Sequence, residues 1–144
     1  KANLTLSVAE SCTGGRIASN IVSFDGASDF FLGGVVTYST TSKIRILNID
    51  KKRIELYGVV SPEIAKDMSN AVKDLFESDI SISITGNVGS KSGDGLSPIG
   101  QVFISINFMN KVDVWELNLK DNRNSNIETA VSKVFTLLNN ILKN

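Results

Sequence analysis

Histidine is absent from all 144 residues, and no other feature of the composition removes as much chemistry. Without imidazole there is no Ser-His-Asp or Cys-His catalysis within the chain, and most zinc sites go with it. A base working near neutral pH must then be a lysine with a lowered pKa or a carboxylate with a raised one. Cysteine is nearly absent too. Cys12 stands alone and cannot form an internal disulfide, which fits a reducing, cytoplasmic setting. No apolar run approaches the roughly 18–20 residues that a membrane span requires, and no signal-peptide pattern opens the chain. Neither sign of charge is in excess, since Lys+Arg and Asp+Glu both count 15, so no global basic field points to nucleic acid. The chain begins at Lys1 rather than at a methionine, which leaves room for residues ahead of it.

What is present suits one globular domain over residues 1–144, with 42% hydrophobic and 21% charged residues and enough length to bury a core. Periodicity predicts a strand over 4–9 followed by a helix over 13–23, then a turn at "FDGAS" and a second strand in "FFLGGVVTYS" ending at Tyr38. A short helix over 41–47 carries Lys43, and Asp50 caps another over 51–57. Ser61 as N-cap, Pro62 at the first helical position and Glu63 in the first turn mark the start of a long helix, "PEIAKDMSNAVKDLF". Alternating Ile80, Ile82 and Ile84 predict a strand that stops at Thr85-Gly86. After the glycine-rich stretch "NVGSKSGDGLSP" come strands over 100–108 and 112–119 joined as a hairpin, then a last helix over 124–142. Strands alternating with helices, plus one hairpin, predict an α/β fold: a three-layer α/β/α sandwich with a mixed sheet. Ligands in such sheets bind at the carboxyl ends of strands, where Ser11, Tyr38 and Thr85 all fall.

The cluster "ESCTGG" sits at a strand-to-helix turn. Read as chemistry, N–H groups at the start of the next helix would meet a phosphate or an oxyanion beside Ser11. Read as structure, Ser11 or Thr13 is simply an N-cap and the glycines allow close packing. Cys12 is the stronger nucleophile but lacks an activating partner and reads as packing. "YSTTSK" sets Tyr38 five residues before Lys43, which is either a serine-activating lysine with a tyrosine beside it or a surface lysine. The stretch "TGNVGSKSGDGLSPIG" matches neither a Walker A loop nor a Rossmann fingerprint, and reads as a surface loop or a cover over a ligand.

Taken together, "AESCTGG", "GASDFFLGGVVTYSTTSKIRIL", "GVVSPEIAKDM" and "ITGNVG…PIGQVFISI" resemble the CinA C-terminal domain family, collinearly over residues 4–138. That resemblance implies a cofactor-free, metal-free amidohydrolase that deamidates nicotinamide mononucleotide to the nicotinate form and ammonia. It implies Ser11 as nucleophile, Lys43 as its activator and Tyr38 beside them. Ser28 of the "GAS" turn, Thr13, Gly14, Gly15, Thr85, Gly86, Asn87 and Arg123 then form the substrate-binding set, with Arg123 on the phosphate. The implied partner is a small nucleotide, with no nucleic acid and no membrane, and with homo-oligomerisation left open. The family's Gly-Pro-x-Gly-Gly loop is altered here by Ser90 and Ser92, and Ile127 replaces the second arginine of its Arg-x-x-Ile-Arg segment. A catalytically altered nucleotide-binding or competence-associated module is the alternative reading.

Overall fold

Strand alternation by twos sends successive side chains to opposite faces of a sheet. The computed structural model, which describes residues 3–144, shows what each face meets. The isoleucines of β3 (Ile80–Gly86) enter one core with Leu6 and Val8 of β1 (Leu6–Glu10). That core is closed by Ile17 and Ile21 of α1 (Arg16–Val22) and by Ile127, Val131 and Val134 of α5 (Arg123–Lys143). On the opposite face the buried hydroxyls of β1 and β3 are satisfied. Along α4 (Pro62–Phe76), Ser83 donates to the Ala65 carbonyl at 2.6 Å, Ser81 to Ser69 at 2.6 Å, and Ser7 to Val72 at 3.3 Å. Short side chains that donate to helix carbonyls let α4 lie close without burying unpaired hydroxyls. A second apolar core, with Ala9, Leu47, Ile54, Ile64 and Met68, joins the sheet to α2 (Thr40–Leu47), α3 (Lys51–Tyr57) and α4.

The sheet order is β2-β1-β3-β4-β5, with β2 (Phe31–Val36), β1 and β3 parallel, and β4 (Gln101–Phe108) and β5 (Lys111–Asn118) antiparallel. With α1 and α5 on one face and α2, α3 and α4 on the other, this is the expected three-layer sandwich around a mixed sheet. Met109 and Asn110, at φ of 54° and 62°, form the two-residue left-handed turn that suits the twist of the β4–β5 hairpin. Ser61 caps α4 through the Ile64 N–H, and Asp50 caps α3 through the Lys52 N–H, as the sequence predicts.

Several boundaries differ from expectation: β1 runs 6–10 rather than 4–9, most others shift by a residue, and two differences bear on the site. β2 stops at Val36 rather than at Tyr38, because from Thr37 the chain turns to enter α2. The helix expected to begin at residue 13 begins at Arg16, since Gly14 and Gly15 take φ of 58° and 102° and residues 11–15 form a turn instead.

The parallel strands bring three chain exits together. The Thr37 N–H donates to the Glu10 carbonyl at 2.8 Å, and the Ser11 N–H donates to the Ile84 carbonyl at 3.1 Å. Close packing of β2 on β1 depends on Gly34, where a Cβ would lie 2.5 Å from Val8 Cγ2 and 2.7 Å from the Val8 carbonyl oxygen. Gly34→Ala is therefore expected to lower unfolding free energy by about 1–3 kcal/mol through overpacking, measured by urea denaturation.

Candidate active site

At the carboxyl ends of β1, β2 and β3 lies a cavity of about 290 Å³ lined by Ser11, Cys12, Tyr38, Lys43, Thr85 and Arg123 among others. Wider, shallower grooves run between α2 and α4 and between α1 and α5, but their charged side chains are not buried.

Lys43 is delivered by α2. Ser39 and Ser42 form a reciprocal capping box that starts the helix, and the fourth helical residue then points inward above Leu47. Only 2% of Lys43 is exposed, and no carboxylate pairs with it. Its Nζ donates to the Thr37 carbonyl at 2.8 Å, to Ser11 Oγ at 2.9 Å and to the Tyr38 carbonyl at 3.3 Å. Burial disfavours the ammonium form and lowers the pKa to about 8. The three contacts also decide what a deprotonated Lys43 can do. A neutral amine keeps two N–H donors and one lone pair, and the two carbonyls can only accept. With both N–H groups drawn to Thr37 and Tyr38, the lone pair is left for Ser11, whose hydroxyl otherwise reaches only the Tyr38 carbonyl, in a long 3.5 Å contact. This arrangement suits proton abstraction from Ser11.

Cys12 is the contrasting neighbour. Burial raises its thiol to about 12, outweighing the opposing pull of its own backbone N–H and of Lys43, so it stays protonated beside the serine.

Other residues singled out from the sequence are placed as follows. The Tyr38 ring is 61% exposed at the cavity mouth, and its hydroxyl accepts from Arg123 Nη2 at 3.2 Å rather than bonding to Ser11 or Lys43. What Tyr38 gives the lysine is its main-chain carbonyl. Arg123, at the first turn of α5, crosses Gly89 so closely that a Cβ there would collide with Nη1. Thr85 lines the cavity, but its hydroxyl donates to the Val59 carbonyl at 2.8 Å, leaving its lone pairs for a ligand. Gly86 lines the cavity beside it. Asn87 also lines it, yet its carboxamide is committed to the loop, accepting from the Gly93 N–H and donating to Ser97 and Pro98. Thr13, Gly14, Gly15 and Ser28 lie outside the cavity lining, with Ser28 exposed on a short 3-10 turn.

The expected free N–H groups at the start of α1 are not free. Glu10, fully buried, accepts from the N–H groups of Gly15, Ile17 and Ala18 at 3.2, 3.0 and 2.9 Å and from the Thr13 hydroxyl at 2.6 Å. Neither Ser11 nor Thr13 is the N-cap. Sequence reasoning passed over this carboxylate, although a charged residue closing an otherwise buried strand is the signal that could have found it.

The glycine-rich segment is an ordered loop. Asp94 accepts from the Ser97 and Leu96 N–H groups and from the Ser92 and Ser97 hydroxyls. Partial burial works against its charge, but these hydrogen bonds prevail and hold the carboxyl at about 2. The loop carries Gly89, Lys91 and Gly93 to the cavity. With Lys43 and Arg123, Lys91 gives the lining three cations and no carboxylate, which suits an anionic ligand.

The model for the CinA C-terminal domain matches residues 1–142. A CinA-like protein of Flavobacterium psychrophilum is 38% identical over 142 residues, covering 98% of this chain and 34% of that protein. A protein of Moorella thermoacetica described as competence-damage inducible is 39% identical over 136 residues, covering 94% and 33% respectively. The chain thus spans about a third of the length of these curated relatives. Among solved structures, the competence damage-inducible protein A of Klebsiella pneumoniae superposes with a TM-score of 0.94 at 26% identity, over 98% of this chain and 88% of that one. A CinA superfamily protein of Escherichia coli gives 0.92 at 28% identity, over 94% and 79%.

The depressed lysine has a consequence for stability. An unfolded Lys43 recovers its ordinary pKa of 10.5, so between about 8 and 10.5 the unfolded chain binds more protons than the folded one. Folding stability should therefore gain a contribution as pH rises through this window and lose it as pH falls back through about 8. Comparing denaturant midpoints of wild type and Lys43→Met from pH 7 to 10.5 isolates it. The wild type is expected to gain stability relative to the variant, and parallel curves would contradict the burial of a titrating amine.

Proposed function

Because the chain belongs to the CinA C-terminal domain family, we propose that its cavity is the active site of a serine–lysine amidohydrolase acting on nicotinamide mononucleotide. The observation that carries this reading is the 2.9 Å contact between Lys43 Nζ and Ser11 Oγ in a histidine-free chain. The neutral amine of Lys43 takes the hydroxyl proton as Ser11 Oγ bonds to the carboxamide carbon. Collapse of the tetrahedral adduct breaks the C–N bond, and the Lys43 ammonium returns its proton to the leaving nitrogen, releasing ammonia. Water then attacks the acyl-serine, Lys43 accepts its proton, and the Ser11 C–O bond breaks with that proton returned to Oγ. No cofactor or metal enters the sequence.

Arg123 and Lys91 bind the phosphate of the nucleotide, and Thr85 and Gly86 bound the space for the ring. Tyr38 shapes the mouth and orients Lys43 through its carbonyl. The loop altered at Ser90 and Ser92 keeps Gly89 and Gly93, which leave room for substrate and for Arg123. The reaction belongs to a cytoplasmic setting in which the pyridine nucleotide is recycled.

Ammonia release from nicotinamide mononucleotide by purified protein tests the reading. The wild type should release it, with kcat/KM rising through an ionisation near 8. Ser11→Ala should lose at least about a hundredfold in kcat with little change in melting temperature, whereas Cys12→Ala should keep most activity. Lys43→Arg should not rescue, since guanidinium stays protonated throughout. Nucleotide binding without ammonia release would instead favour a catalytically altered module.

Arg123→Ala should raise KM for the nucleotide far more than for the phosphate-free nucleoside. Equal effects on both would count against a phosphate contact.

A further inference from the structure

Most N–H groups around the Ser11 turn have an acceptor. Ser11 donates to Ile84, Gly14 to the Ser11 carbonyl, Arg16 to the Thr13 carbonyl and Ser19 to the Gly15 carbonyl. Gly15, Ile17 and Ala18 donate to Glu10. Among the described residues, the Cys12 N–H meets only its own sulfur and the Thr13 N–H finds no acceptor. The first belongs to the residue after Ser11, which lines the same cavity. In serine acyl transfer, the N–H following the nucleophile is a recurrent donor to the tetrahedral oxyanion.

We propose that Glu10 is a positioning residue for this reaction: its buried carboxylate gathers the N-terminal N–H groups of α1 and the Thr13 hydroxyl, and so holds the 11–15 turn in the form that leaves the Cys12 N–H, beside Ser11 at the cavity, as an oxyanion donor. The assignment rests on the serine–lysine reading above. Its basis is geometric. Glu10 is 0% exposed with no cation paired to it among the described residues, and its charge is carried by three N–H donors, one hydroxyl and the positive end of α1. A helix end left open would itself attract the anionic substrate. Here that end is neutralised internally, so an anion gains more from the cations at the cavity and the oxyanion from the Cys12 N–H. The positive φ angles at Gly14 and Gly15 let the turn wrap the carboxylate, and no neighbouring atom lies within 4 Å of a Cβ placed at Gly14. Its glycine is therefore required for conformation rather than for space.

The test is Glu10→Gln, which keeps the shape but removes the charge and replaces one acceptor oxygen with a donor facing other donors. Wild type and variant are compared on nicotinamide mononucleotide, on its aldehyde counterpart and on the carboxylate product. The aldehyde is captured by Ser11 as an oxyanionic hemiacetal. For the variant, kcat should fall at least about tenfold while KM stays within about threefold. Inhibition by the aldehyde should weaken in step with kcat, product inhibition should hold, and the ionisation near 8 should stay where it is. A purely structural role would reduce the active fraction and leave aldehyde affinity unchanged, which would overturn the proposal, as would a variant with wild-type kcat. If Glu10→Gln does not fold, Thr13→Val removes a single donor to the carboxylate and carries the same comparison. Its kcat and aldehyde affinity should fall together, and an unchanged aldehyde affinity would overturn the proposal. A wild type with no activity on the nucleotide would overturn the functional reading and this assignment together. An active wild type beside an unimpaired variant overturns this assignment alone.

Discussion

An amine enclosed by protein, within reach of a serine and facing two carbonyls that cannot donate to it, is the arrangement on which the rest of the site depends. Removing a lysine from water penalises its charged form, and Lys43 has no carboxylate to restore the balance. The penalty persists only because the fold over-determines the position. The capping box at Ser39 and Ser42 fixes the start of α2, and Leu47 anchors the following turn in the second core. The parallel pairing of β2 with β1 brings the Thr37 and Tyr38 carbonyls to Nζ. The same pairing places Ser11 at the end of β1, so serine and lysine meet where two strands leave the sheet.

Two carboxylates act as organisers outside the chemistry. Glu10 holds the turn that follows β1, and Asp94 holds the loop that follows β3. Both are surrounded by N–H and hydroxyl donors rather than cations, so neither draws the positive side chains away from the cavity. A chain with 15 charges of each sign can thereby present a cavity lining in which only cations appear. The neutral total says nothing of this local asymmetry, which arises from where the chain folds its charges.

How much of this was legible in the sequence depended on whether the signal was local. Alternation of isoleucine and serine along β3 and the Ser61-Pro62-Glu63 start of α4 are local, and both elements are found where their pattern places them. The start of α1 was misread because its cap comes from Glu10, five residues before Gly15, and no capping rule looks that far back. The site divides in the same way. Ser11 and Lys43 carry recognisable motifs, but the carbonyls that orient the amine belong to the main chain and have no residue signature. The Tyr38 hydroxyl was expected near the serine, yet its partner is Arg123, whose approach depends on a glycine in a third segment. Asn87 sits beside the cavity as its motif suggests, while its amide serves the loop. Position could be read from the sequence, but side-chain engagement required the fold.

The central claim, that Lys43 is an amine poised to lose its proton, can be measured without any substrate. NMR titration of protein carrying 13C at lysine Cε, with the Lys43 resonance assigned by its loss in Lys43→Arg, reads the ionisation directly. The account predicts that this resonance titrates near 8, apart from the other lysines. A Lys43 resonance that titrates with the others, above about 10, would contradict it.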